Sequence, residues 1–170
     1  MLKWLGAAFL LGGGLFLGLG AAEQLHARVR CLRALLGAVE WAERELSFRL
    51  TPLPALLEGL EARSIPPVSA LFSGCGQRLD ELGEKPFGTL WREAADAAGL
   101  PLDEAAEQTV YSLGDILGRF DAEGQRGALE ERAAELREHL RRAVEDRDRL
   151  CRVYTALGAG TGALLTILLI

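Results

Sequence analysis

The chain has 170 residues, 24 acidic and 19 basic, a formal net charge of −5 and three cysteines. The acidic balance argues against nucleic-acid binding, and three scattered cysteines with no CxxC pair argue against a disulfide framework and for a reducing compartment. Ala, Leu, Glu and Arg dominate while strand formers are scarce, which predicts an all-α fold, a bundle of about six helices.

Residues 4–22 carry no charge, nor do residues 153–170, and every acidic residue lies between these two runs. A membrane helix needs about 20 apolar residues. The pattern predicts three segments: a first transmembrane helix over 4–22, a helical domain over 23–152 and a second transmembrane helix over 153–170. A cleaved leader is the alternative for the first run, because Lys3 and Gly20-Ala21-Ala22 fit a short basic region and a small-residue cleavage site. The helical pattern continues past residue 22, which favours an anchor that stays. Arg28, Arg30 and Arg33 follow the first run, and Arg141, Arg142, Arg147, Arg149 and Arg152 precede the second. Basic flanks prefer the cytoplasmic side, so the central domain is expected in the cytoplasm. Gly14 with Gly18, and Gly158 with Gly162, give each run a small-residue face for helix packing.

Beyond the first run, Leu25, Val29, Leu32, Leu36, Val39, Leu46 and Leu50 follow a 4-3 alternation. Leu129, Ala133, Leu136, Leu140, Ala143, Leu150, Tyr154 and Leu157 mirror it before the second. Two long antiparallel helices, each continuing into a membrane segment, are expected. Between them, Thr51 is read as an N-cap and Pro52 as the first residue of a helix reaching residue 62. Ile65-Pro66-Pro67 breaks it. A third helix over 67–82 is weakened by Gly74 and Gly76, and residues 83–88 form a loop. A helix over 89–98 stops at Gly99. Asp103 caps the next, which ends at Leu117 with Gly118 just beyond, and Asp121 caps the last long helix.

The search for chemistry returns little. Glu23 and His26 have di-iron ExxH spacing, but Leu136 stands three residues before the other histidine, His139, so no second pair exists and no metal is expected. Glu135 and His139 read as a surface pair. Cys75, between two glycines, reads as a packing residue, with a membrane-bound thiol enzyme as the alternative. Glu45 and Asp115 are the odd polar residues beside apolar positions: either each has a partner, with Arg49 and Arg119 the candidates, or both point to solvent. Residues 80–131 hold 13 acidic and four basic side chains, a surface suited to docking a basic partner.

These features together resemble the stage III sporulation protein AB family. The opening Met1-Leu2-Lys3-Trp4-Leu5-Gly6-Ala7, the Glu45-Leu46-Ser47-Phe48-Arg49-Leu50-Thr51-Pro52-Leu53 run, Ser69-Ala70-Leu71-Phe72, and Leu113-Gly114-Asp115-Ile116-Leu117-Gly118-Arg119-Phe120-Asp121 with Gln125 carry the likeness, along with the apolar C-terminal end. Phe48 stands where the family pattern has tyrosine. The resemblance implies a non-enzymatic component of the machinery joining mother cell and forespore, in the mother-cell membrane around the forespore. It implies a cytoplasmic domain similar to the F-protein domain of type II secretion and type IV pilus systems. The implied partners are a secretion-type ATPase, other membrane subunits of the same complex and the lipid bilayer, with no cofactor, nucleic acid or small-molecule substrate. Glu45, Thr51, Pro52, Asp115, Arg119, Asp121 and Gln125 are the residues it suggests for partner contact.

Overall fold

The computed structural model describes the backbone of residues 2–49, 51–118 and 122–169, and the side chains of 20, 22–48, 51–118 and 124–153. Six α-helices and one 3-10 turn, with no strand among the described residues, make up the fold: α1 (Leu2–Arg49), α2 (Leu53–Arg63), α3 (Val68–Gly76), the turn (Leu79–Glu81), α4 (Phe87–Ala98), α5 (Glu104–Leu117) and α6 (Ala122–Leu169). The chain divides into two compact units, Arg28–Arg141 and Met1–Ala27 with Arg142–Ile170. Among the described residues no helix is long and apolar enough to cross a membrane. The predicted membrane runs, with Gly14, Gly18, Gly158 and Gly162, lie outside the described side chains apart from Gly20, Ala22 and Val153.

Within Arg28–Arg141, the apolar face of α1 is broader than a 4-3 seam. Val29, Leu32, Leu35, Val39 and Ala42 are buried, together with Cys31 and Ala38. Leu36, assigned to the stripe by alternation, is only half-buried. A helix packed against several neighbours buries a face set by the 3.6 period, and Leu35 sits at its centre. On α6 the stripe is buried at Leu129, Ala133 and Leu136 and half-buried at Leu140. Arg137 of α6 donates to Glu40 of α1 at 2.6 Å.

Thr51 is not the N-cap of α2. Pro52 takes that place with no side-chain cap, and Pro54 occupies the first helical turn. Proline has no N–H, so few donors are left there for a Thr51 hydroxyl to satisfy. The hydroxyl turns back to α1 and donates to Glu45 Oε2 at 3.1 Å. Gly59 lets α2 approach α1: a Cβ there would fall 2.5 Å from Trp41 Cη2. Arg63, one turn on, lies 4.6 Å over the Trp41 ring and donates to the Gly59 carbonyl at 3.0 Å.

The expected third helix is divided. α3 stops at Gly76, and the chain tightens into the 3-10 turn before Gly83 reverses it at φ +114. α4 begins at Phe87, two residues earlier than expected, so Phe87 and Gly88 belong to the helix and not to the loop. Gly99 ends α4 at φ +60, the left-handed stop the sequence indicated. Asp103 caps α5 as expected, its Oδ1 accepting from the Ala106 N–H at 3.0 Å. Its carboxyl also pairs with Arg28 of α1. Partial burial raises its pKa, but the Ala106 N–H and the Arg28 guanidinium outweigh that and hold it below the usual carboxylate range. Gly118 caps α5 at φ −78 and so is not a left-handed stop; a Cβ there would press on Phe87 Cβ at 3.0 Å.

Candidate functional site

Of the residues singled out for partner contact, Glu45, Thr51 and Pro52 lie where α1 gives way to α2, and Asp115 and Gln125 lie near the end of α5 and the start of α6. One void of about 10 Å³ lies in the core, lined from all six helices, among them by Ala42, Leu60, Phe72, Trp91, Leu117 and Leu129. Its lining is apolar, so it is a packing defect and not a ligand pocket.

α4 and α5 meet over glycine. A Cβ on Gly114 would lie 2.5 Å from Trp91 Cγ and 2.6 Å from Trp91 Cβ, and one on Gly88 would collide with the Asp115 carboxylate. Trp91 fills the gap so created, between Phe72 at 5.9 Å and Phe87 at 6.1 Å, and its indole N–H donates to the Val110 carbonyl at 2.8 Å. Asp115 is thereby turned outward. It pairs with Arg92 at 3.1 Å, both side chains about half exposed, instead of lying in the core. The Arg119 side chain proposed as its partner, the Arg49 side chain and Asp121 lie outside the described residues.

Gln125 is 7% exposed. Its amide donates to the Ile116 carbonyl at 3.3 Å and the Leu117 carbonyl at 3.2 Å, closing the end of α5 against α6. Its amide nitrogen is thus engaged inside the fold. Gln125→Ala would leave both carbonyls without this donor in a buried setting, at a cost of roughly 1–3 kcal/mol. Urea denaturation of the full chain should show the midpoint fall with the m-value unchanged.

Where α1 gives way to α2, Glu45 and Thr51 are half-buried and hydrogen-bonded to each other, and Pro52 is exposed. Between them Phe48 is 85% exposed. The other described rings are buried or half-buried: Phe72, Phe87 and Trp91 in the core, Trp41 under Arg63, and Tyr111. An aromatic left in water at a helix end, beside a rigid Glu45–Thr51 pair, has the makings of a binding anchor. The sequence marked this run by resemblance but did not show that its ring points outward.

Tyr111, on α5, donates to Asp96 of α4 at 2.5 Å and lies 2.9 Å from Glu107. The Asp96 bond, partial burial and Glu107 all push its phenol pKa up. Glu135 and His139 are not a simple surface pair. They converge on buried Thr109, whose hydroxyl lies 3.3 Å from Glu135 Oε2, 3.2 Å from His139 Nε2 and 3.2 Å from the Ala105 carbonyl. They tie α6 to α5.

The two buried thiols are poorly placed for catalysis. Cys31 and Cys75 are buried, and burial pushes both up to about 12. A thiol held protonated is a poor nucleophile. Among the described residues no group of three histidine, cysteine or acidic side chains is placed to hold a metal.

Comparison with known proteins follows the same lines. The family model described as stage III sporulation protein AB matches residues 3–170. The curated stage III sporulation protein AB of Bacillus subtilis (strain 168) is 27% identical over 171 residues, covering 99% of each chain. A solved structure of a stage III sporulation protein AB is similar with a TM-score of 0.66 at 24% identity, covering 72% of this chain and 98% of that one.

Proposed function

Because the chain belongs to the stage III sporulation protein AB family, and so has a role in sporulation, we propose that it is a membrane-anchored, non-enzymatic assembly component of the channel complex between mother cell and forespore. In this reading residues 4–22 and 153–170 anchor it in the mother-cell membrane around the forespore, and residues 23–152 stand in the cytoplasm. The surface carrying Glu45, Phe48, Thr51 and Pro52, together with Asp115 on α5, docks a secretion-type ATPase, while other membrane subunits meet the anchors. The uncharged runs and their arginine flanks support the anchoring.

One observation carries the docking: Phe48 is 85% exposed, in the segment between hydrogen-bonded Glu45 and Thr51 and just before exposed Pro52. Interface anchors are commonly aromatic, and their truncation costs 2 kcal/mol or more of binding, roughly 30-fold. Asp115, held outward against Arg92, supplies negative charge on the same unit for a basic partner. The thiol-enzyme reading loses its candidate, since Cys75 is fully buried.

The test is co-capture of the ATPase by the full-length chain from solubilised membranes. Phe48→Ala and Asp115→Lys are each expected to lower recovery tenfold or more. Neither should move the unfolding midpoint much, because exposed sites change stability by about 0.5 kcal/mol or less. Undiminished recovery with both variants would overturn the docking.

A further inference from the structure

The surface of Arg28–Arg141 carries two stripes of opposite character, which extend beyond the docking residues and share only Phe48 and Asp115 with them. On α1, Arg30, Arg33, Gly37, Trp41, Arg44 and Phe48 recur at steps of three and four. At about 100° per residue they share an arc of about 80° on the side away from the buried face. All are exposed except Trp41, which is half-buried where Gly59 and Arg63 of α2 pack against it, so the arc is covered by α2 at that one position. No acidic residue falls in the arc. Glu40 flanks it and is paired with Arg137; Glu45 flanks it on the other side, bonded to Thr51. Gly37 sits at its centre with no atom within 4 Å of a Cβ placed there. A glycine inside a helix costs about 1 kcal/mol relative to alanine. Nothing within the described fold explains this one, whereas close approach by an outside helix would.

On α5, Glu104, Glu107, Gln108, Tyr111 and Asp115 form the counterpart, again at steps of three and four, exposed except for half-buried Tyr111. Asp96 of α4 joins it through the Tyr111 hydroxyl. Arg92, bound to Asp115, is the cation at its end.

The stripes are level with each other. Arg28 of α1 pairs with Asp103 of α5 at one end, and Ala42 and Leu117 line the same void at the other. The void is lined 7–14 residues beyond Arg28 on α1, by Leu35 to Ala42, and 10–14 residues beyond Asp103 on α5, by Leu113 and Leu117, so the two helices agree in level to within about one turn. α1 and α5 therefore run parallel and in step. Arg30 and Arg33 stand at the height of Glu104 and Glu107, and Trp41 and Arg44 near that of Asp115.

From this we infer that copies of the chain associate side by side in the same orientation, the basic-aromatic stripe of α1 on one copy against the acidic stripe of α5 on the next. Two different faces meet, so the contact is heterologous and repeats, closing into a ring if the rotation between copies permits. Equal heights make this work without one copy sliding along its neighbour. The inference goes beyond the docking reading and uses it only in that anchors in one membrane would hold copies parallel.

The test uses the purified full-length chain in detergent, carrying two different tags, with no ATPase present; its outcome is thus independent of the docking reading. Wild-type copies should co-capture each other, less so as salt rises. Arg33→Glu with Arg44→Glu, and separately Glu104→Arg with Glu107→Arg, should each lose co-capture tenfold or more. Mixing the two variants should restore it, because the reversed α1 of one then meets the reversed α5 of the other. Undiminished association of either variant alone, or no recovery on mixing, overturns the inference. Vesicles with anionic lipid provide the rival occupant: if the α1 variant loses vesicle binding yet still associates, the stripe serves lipid headgroups and the inference is wrong.

Discussion

Trp91→Ala is expected to destabilise the protein by about 3–5 kcal/mol, the range for removing a large aromatic from a core. The side chain is 1% exposed, and it touches both phenyl rings that close the α3–α4–α5 junction. It also supplies the hydrogen bond to the Val110 carbonyl. Truncation removes all three contributions, and Phe72 and Phe87, held by their own helices, cannot collapse into the space. Trp91→Phe keeps a ring and should lose less. Equilibrium urea denaturation of the full chain, followed by far-UV circular dichroism, measures both. A Trp91→Ala midpoint close to wild type would mean the junction repacks freely, against everything its geometry implies.

Gly114→Ala is the second, with a net loss of roughly 1–3 kcal/mol from overpacking. Taken as helix propensity alone, the change should gain about 1 kcal/mol. The added methyl, however, meets Trp91 Cβ at 2.6 Å as well as Cγ at 2.5 Å. Cβ is fixed by the α4 backbone, so no rotamer relieves the contact and the helices must part. For the same reason Trp91→Ala should reduce the Gly114→Ala penalty without abolishing it, a non-zero coupling in a double-mutant cycle. Gly37→Ala is the internal control. With open space around it, the same substitution should leave the isolated chain as stable or more so by about 0.5–1 kcal/mol. If Gly114→Ala behaved like Gly37→Ala, the close approach of α4 and α5 would be refuted.

Several features were readable in advance because their causes are local. Gly99 and Asp103 act where their backbone and side-chain chemistry dictate. The α6 stripe keeps its period because an apolar face must be buried whatever it packs against. Thr51 was misjudged because its capping value depended on two prolines that remove the donors it would serve. Arg119 and Arg49, the partners the sequence suggests for Glu45 and Asp115, lie outside the described side chains; among the described residues Asp115 pairs with Arg92, brought there by the packing of α4 on α5. The signal for that packing was present: Gly114 and Gly118 lie four apart, the same small-residue spacing noted in the apolar runs.

The sequence by itself determined the all-α class, the six helices and most of their ends, the acidic balance and the family. All of these follow from propensity, periodicity and residue order, which are properties of short stretches of chain. Only the tertiary structure decided that Gln125 is an internal clasp, that Phe48 faces water, and that α1 and α5 carry opposite charges at equal heights. Each of these depends on which helix lies beside which, and at what level. That is set by contacts such as Arg28 with Asp103 and Gly114 under Trp91, made between residues far apart in the chain.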